Sequence, residues 1–429
     1  MIIRDINGTK LYYLHVDKFT TSQFGIAIKT ISNRKFHLAD LITRQLMTKI
    51  TSKYPEEELL NDHLQNLYSA NLSSVRDNLG NTSIINFTSK FINDEYVLDD
   101  TKIFEEIVKV YDDMFTTPAF YINNEFNENM INKEKFLTLI NYDSVENDDI
   151  ISALFDILVD TFSDEVEKEK YLKDKEALLN VTNEDLLEAY YNIVNSEKIF
   201  YYIGAYPVDK VEETIKNNFT HYVNKPHTIN MKQNLFEDFS EVKRTEIEKD
   251  NHQSLLFMTY TYEDEEFLKY ETVGNLFIKM ISGRSTSDLF QEVREKHNLA
   301  YFISGINLKL NQLFIIYSGI DKANIDKTSN IIEEVMTKYT SGAFDEEHLE
   351  ALEAVKKEYI SYKKNLFDKT SGYYNLIADS FIYNRNVSLE EEIAEINNVT
   401  LEDIQEFAKK YTLRSIYVVK GVASDEEDC

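Results

Sequence analysis

The sequence predicts an α+β protein of two homologous domains, each a mostly antiparallel sheet with helices packed on one face. Three observations carry that expectation. At 429 residues the chain is too long for one ordinary core. Landmarks in its two halves recur at a single offset: Phe126-Asn-Glu128 matches Phe344-Asp-Glu346 (344 − 126 = 218), and Asn180-Val-Thr182 matches Asn398-Val-Thr400 (398 − 180 = 218). Long stretches of helical periodicity also alternate with short apolar runs that read as strands and hairpins.

In the first half, strands are expected near Gly25–Thr30 and Thr82–Phe91, and helices near Leu38–Ile50, Glu57–Ser69 and Lys102–Phe115. Each Asn-Val-Thr opens a helix with threonine as N-cap and acids in the first turn. Each of these helices leads to an apolar strand ending at glycine, Ile199–Gly204 and Ser415–Gly421. In the second half Leu255–Tyr260 reads as a buried strand, Tyr301–Leu308 and Leu313–Ser318 as a hairpin, and Thr272–Ile281, Ile325–Thr340 and Glu346–Leu366 as helices. The domains fall at 1–220 and 241–424, joined by a polar linker over 221–240 and followed by an acidic tail at 425–429.

Composition narrows the function. A net charge of −29 lacks the basic footprint that nucleic acid or anionic lipid requires. The apolar runs are too short to span a bilayer, and the N-terminus lacks the basic start and apolar run of a signal peptide. One cysteine, Cys429, rules out a disulfide framework and any cysteine-based zinc site. These features point to a cytoplasmic protein without nucleic-acid or membrane partners.

The most informative stretch is Ser285–Tyr301. Ser287 is the expected N-cap of a helix with Asp288 in its first turn, and Leu289, Phe290 and Val293 form the apolar face that turns Arg294 elsewhere. His297-Asn298 breaks the helix, and Leu299–Ser304 begins a strand. This run resembles the second-domain signature of the pitrilysin/insulinase (M16) peptidase family, in which an Arg and a Tyr seven positions apart bind peptide substrate opposite a zinc site. Arg294 and Tyr301 have that spacing. The resemblance implies the pitrilysin/LuxS-like metallohydrolase fold.

It also exposes a missing site. Active members of the family hold zinc with His-x-x-Glu-His on a helix plus a distant Glu. Two imidazoles one helical turn apart converge on the ion, and the Glu activates a metal-bound water. No two of the eight histidines here lie three or four residues apart. By position the motif belongs to the first long helix, at His37-Leu-Ala-Asp-Leu-Ile-Thr-Arg44. One register reads His37, Asp40, Leu41; the other reads Asp40, Thr43, Arg44, with a cation where zinc belongs. Glu134 is the available distant acid.

The resemblance is therefore to the non-catalytic branch: no metal in this chain, with zinc in a paralogous partner that carries the intact motif. It implies a heterodimer in which Arg294 and Tyr301 grip the peptide, similar to bacterial relatives linked to elongation factor P modification or leader-peptide processing. The alternatives are a structural scaffold, like the core subunits of respiratory complexes, and a peptidase with an atypical metal site.

Overall fold

The computed structural model describes residues 1–31, 34–79, 82–226, 236, 238–250 and 252–422. Half of the expected linker 221–240, including His227, lies outside the described residues, as does the acidic tail with Cys429.

In chain order the first half contains β1 (Ile2–Ile6), β2 (Thr9–His15), β3 (Thr21–Ile31), α1 (Arg34–Lys49), α2 (Glu57–Asn66), β4 (Ser73–Leu79) and β5 (Thr82–Ile92). There follow α3 (Ile103–Thr116), a ribbon of β6 (Tyr121–Ile122) and β7 (Glu125–Phe126), α4 (Glu128–Glu146), α5 (Asp149–Thr161), α6 (Glu165–Glu169), α7 (Lys175–Asn180), α8 (Asn183–Asn195), β8 (Glu197–Gly204) and α9 (Val208–Asn218). The second half contains β9 (Lys243–Lys249), β10 (Ser254–Thr261), α10 (Glu271–Ile281), β11 (Ala300–Leu308), β12 (Leu313–Ile320) and α11 (Ile325–Ser341). It ends with α12 (Glu346–Leu366), α13 (Thr370–Tyr383), α14 (Leu389–Asn398), α15 (Leu401–Ala408) and β13 (Thr412–Gly421).

The chain forms two compact units. One comprises 1–148, 169–233 and 367–386; the other comprises 149–168, 234–366 and 387–429. Each sequence half thus gives one helical segment to the unit built mainly by the other half. The two segments start 218 residues apart (367 − 149 = 218) and are equally long, so the exchange obeys the offset of the repeated landmarks. Both capping boxes form as their spacing requires: the Thr182 hydroxyl accepts from the Asp185 backbone N–H, and that of Thr400 accepts from Asp403.

The first unit is a six-stranded sheet in the order β1-β2-β8-β3-β5-β4, antiparallel except for the β2/β8 pair. One face carries α1, α3, α8 and α9 over a core rich in Phe and Tyr (Phe24, Phe87, Phe104, Tyr111, Phe115). The opposite face receives α13, whose Ile377 and Phe381 pack on Tyr12, Ile199, Tyr201 and Ile203. Close packing leaves Gly25 no alternative, because a Cβ there would stand 2.3 Å from the Phe87 carbonyl oxygen and from the Tyr201 hydroxyl.

The second unit is a five-stranded sheet in the order β11-β12-β10-β13-β9, antiparallel except for β13/β9. Its central strand Ser254-Leu-Leu-Phe-Met-Thr-Tyr-Thr261 is buried throughout, which explains its continuous apolar run. α5 lies against β13, with the Tyr417 hydroxyl 3.3 Å from an Asp156 carboxylate oxygen. No helix of the described residues is long and apolar enough to cross a membrane.

Candidate functional site

Two places bear the expected chemistry: the α1 region of the first unit, and the start of β11 in the second.

α1 presents Asp40, Thr43 and Arg44 along one turn. Thr43 is buried and its hydroxyl donates to the Leu186 carbonyl at 3.1 Å, which ties α1 to α8. Asp40 is 0% exposed. Its closest charged partner is Arg76 of β4, at 3.7 Å between Nη2 and Oδ2. That distance makes an ion pair but no hydrogen bond, and neither Asp40 oxygen has a hydrogen-bond partner. Burial pushes the Asp40 carboxyl up to about 7, against the opposing pull of the Arg76 and Arg44 charges. Arg44 is half-buried, and its Nη1 donates to the Ser74 carbonyl at 2.8 Å and to the Ser74 hydroxyl at 2.9 Å. Burial, helped by repulsion from Arg76, lowers the Arg44 guanidinium to about 10. Arg76 is itself buried and donates to the Ser83 hydroxyl and the His37 carbonyl.

His37 is half-buried, and its Nδ1 is buried with no partner. Burial, then the Arg76 and Lys170 charges, lower its pKa to about 3, so the ring is neutral. Glu134 of α4 is 1% exposed and paired with Lys49 at 2.6 Å, five positions beyond Arg44. These residues do not fit a zinc ion. The donor set needs imidazole or carboxylate ligands converging on one point. Here one carboxylate shares its surroundings with two guanidinium groups, the hydroxyl between them is committed to a backbone carbonyl, and the distant acid is neutralised by a lysine. No group of three His, Cys, Asp or Glu among the described residues could hold a metal.

The second place departs from expectation in its detail. Ser287 does not cap the helix; its hydroxyl donates to the Arg284 carbonyl at 2.7 Å. Residues Phe290–Lys296 wind as a π-helix, a wider turn that is rare overall and frequent at functional sites. The residues leading into it lie beside a buried histidine. An Asp288 oxygen lies 3.3 Å from Nε2 of the buried His348, whose Nδ1 lies 2.5 Å from Asp345. Asn298, at φ 48°, ends the turn where His297-Asn298 was expected to break it.

Arg294 is exposed, lies over the Phe290 ring at 5.0 Å, and makes no ion pair among the described residues; Glu292 pairs instead with Lys296. Tyr301 is not a core residue. It is 61% exposed, on the outermost strand of its sheet, at the point where the β11/β12 register slips between Ala300 and Phe302. A bulge of this kind re-aims a side chain. The Tyr301 hydroxyl donates to Asp321 at 2.8 Å. Arg76, His348 and the contact between His348 and Asp288 escaped sequence reasoning. Alternation in Ser73–Leu79 signals a strand, but nothing in it names the helix that Arg76 meets.

Fold and site together define a two-unit α+β protein with no metal-binding cluster among the described residues. Residues 180–355 match the Peptidase M16 inactive domain. The probable inactive metalloprotease YmfF of Bacillus subtilis is 22% identical over 431 residues, covering 95% of this chain and 98% of that protein. Among solved structures, a conserved protein from Enterococcus faecalis superposes with a TM-score of 0.86 at 20% identity, covering 99% of this chain and 100% of that one. A peptidase M16 inactive domain protein from Pseudomonas fluorescens gives 0.77 at 13%, with 99% of each chain covered. Over residues 180–355 the chain thus matches an M16 inactive domain, and along nearly its whole length it is similar to a probable inactive metalloprotease.

Proposed function

We propose that this chain is the peptide-binding, non-catalytic subunit of a heterodimeric M16-type zinc metallopeptidase in the cytoplasm. The observation that supports the reading is a pairing of opposites: Arg44 and Arg76 crowd the one carboxylate of the α1 turn, while Arg294 and Tyr301 stand exposed on adjoining elements. Arg294, without an ion pair among the described residues, brings planar donors suited to a peptide carbonyl or terminal carboxylate. The Tyr301 hydroxyl, carried on an edge strand, donates to a carbonyl of a peptide lying alongside. A bound peptide must compete with Asp321 for that proton, which is the observation favouring the second reading, a scaffold whose Tyr301 serves only structure.

The test is co-expression with a relative carrying His-x-x-Glu-His, followed by peptide cleavage with Arg294→Ala and Tyr301→Phe. Loss of one such donor in a water-poor site lowers the rate roughly a hundredfold. Unchanged cleavage by both variants leaves the scaffold. Zinc retained stoichiometrically by the isolated chain, together with cleavage by it alone, refutes both readings.

A further inference from the structure

β4 is the outermost strand of the first unit's sheet, and among the described residues no strand pairs with its other side. The phase of its pairing can be read directly. The Asn71 N–H donates to the Lys90 carbonyl, and the same register continues as Ser73 opposite Thr88, Val75 opposite Asn86 and Asp77 opposite Ile84. In an antiparallel ladder, hydrogen-bonded and non-hydrogen-bonded pairs alternate. Residues 71, 73, 75 and 77 therefore turn their backbone groups toward β5, whereas 72, 74, 76 and 78 turn theirs away from the sheet.

The Ser74 carbonyl is one of these outward groups, an acceptor that an added strand would use. The Arg44 guanidinium occupies it at 2.8 Å and holds the same residue's hydroxyl at 2.9 Å. Two features keep Arg44 in place. The side chain rises from α1, which is fixed to β4 by Arg76 reaching the His37 carbonyl at 3.2 Å. Arg44 also remains a cation, since its lowered pKa of about 10 leaves it charged at neutral pH.

We propose that Arg44 is an edge guard: by donating to the outward Ser74 carbonyl it closes β4 against an extended peptide. A charge-assisted bond to a fixed acceptor is stronger than the neutral amide bond that an incoming strand offers at the same oxygen. The former metal-motif position thus excludes peptide from the first unit, independently of whether Arg294 and Tyr301 bind one.

Disulfide trapping tests this. Val75 is 53% exposed and adjacent to the guarded carbonyl. With Cys429→Ser removing the single native cysteine, Val75→Cys reports on a short, unstructured Thr/Val peptide carrying one cysteine. Arg44→Ala raises the trapping rate at least about tenfold, the factor one charge-assisted hydrogen bond is worth. Ser74→Ala, which keeps the backbone acceptor, leaves the rate near that of the Arg44 parent. Trapping of a second copy in place of the peptide, seen only in the Arg44 variant, equally reports an opened edge. Should Arg44→Ala fail to fold, Arg44→Met keeps the aliphatic stem without the donors. In the unsubstituted chain, the Arg44 guanidinium protons exchange more slowly than those of free arginine. Equal trapping with and without Arg44, or free-arginine exchange at its guanidinium, overturns the proposal.

Discussion

Asp40→Asn separates two opposed titrations in one buried cluster. Burial raises the Asp40 carboxyl from 3.8 to about 7, so the folded state prefers its neutral form. A group with a raised folded pKa gives stability that is complete below the unfolded value and is lost as pH rises through the folded one. The loss from Asp40 therefore runs between about pH 4 and pH 7. His37 does the reverse. Its pKa is lowered from 6.5 to about 3, so its contribution is complete above 6.5 and is lost as pH falls toward 3. Over the shared window the two slopes oppose each other and nearly cancel.

Asparagine keeps the shape of the neutral acid and has no charge to bury. Between pH 5.5 and 8.5 the native chain loses the Asp40 term over the interval from 5.5 to about 7, roughly 2 kcal/mol at 1.36 kcal/mol per unit. Relative to the native chain, Asp40→Asn therefore gains about 2 kcal/mol across that range, and what the pair contributes now rises with pH, because of the two only His37 still titrates. These pH values stay clear of the isoelectric point near 4.7. The assay is urea unfolding at pH 5.5, 7 and 8.5, read by hydrogen exchange at α1 and β4 amides, because two compact units need not unfold as one. A variant that is destabilised at pH 8.5 by as much as at pH 5.5 refutes the reasoning; it means that the ionised Asp40–Arg76 pair is a net gain.

Other outcomes follow from single contacts. Lys49→Met leaves the Glu134 carboxylate buried without its cation, a loss of about 3–5 kcal/mol measured by denaturant unfolding. Thr182→Ala and Thr400→Ala each remove a capping hydroxyl and cost about 1 kcal/mol; because the two caps lie in different units, the double variant shows the sum. Gly25→Ala drives a methyl group to 2.3 Å from backbone and phenol oxygens and lowers the thermal midpoint more than either cap variant, whereas Gly8→Ala meets open space and acts only through its positive φ.

What the sequence made legible was whatever is local. Capping boxes, the Asn298 break, the β11/β12 hairpin and most long helices follow from residues within a few positions of one another, and they appear within a few residues of their expected bounds. The β1/β2 hairpin, β4, α5, α13 and α14 gave weaker signals. Asn7-Gly8, both at positive φ, is a strong turn dipeptide whose flanking strands are short. The absent zinc motif was legible too, since a missing histidine pair needs no contact map. The identity of the replacement was not. Arg76 reaches Asp40 from 36 positions away, and His348 reaches Asp288 from 60, so no local pattern connects them.

The exchanged helices show why such a chain resists division at its repeat boundary. A sheet buried on both faces needs apolar cover twice, and α13 supplies Ile377 and Phe381 to the second face of the first unit's sheet. Cutting the chain near residue 220 strips that cover and leaves Tyr12, Ile199, Tyr201 and Ile203 facing water. The repeat unit of the sequence and the folding unit of the protein are therefore different objects. Duplication explains the common offset, while burial explains the swap: each half completes its sheet only when the other is present, which makes both halves obligatory.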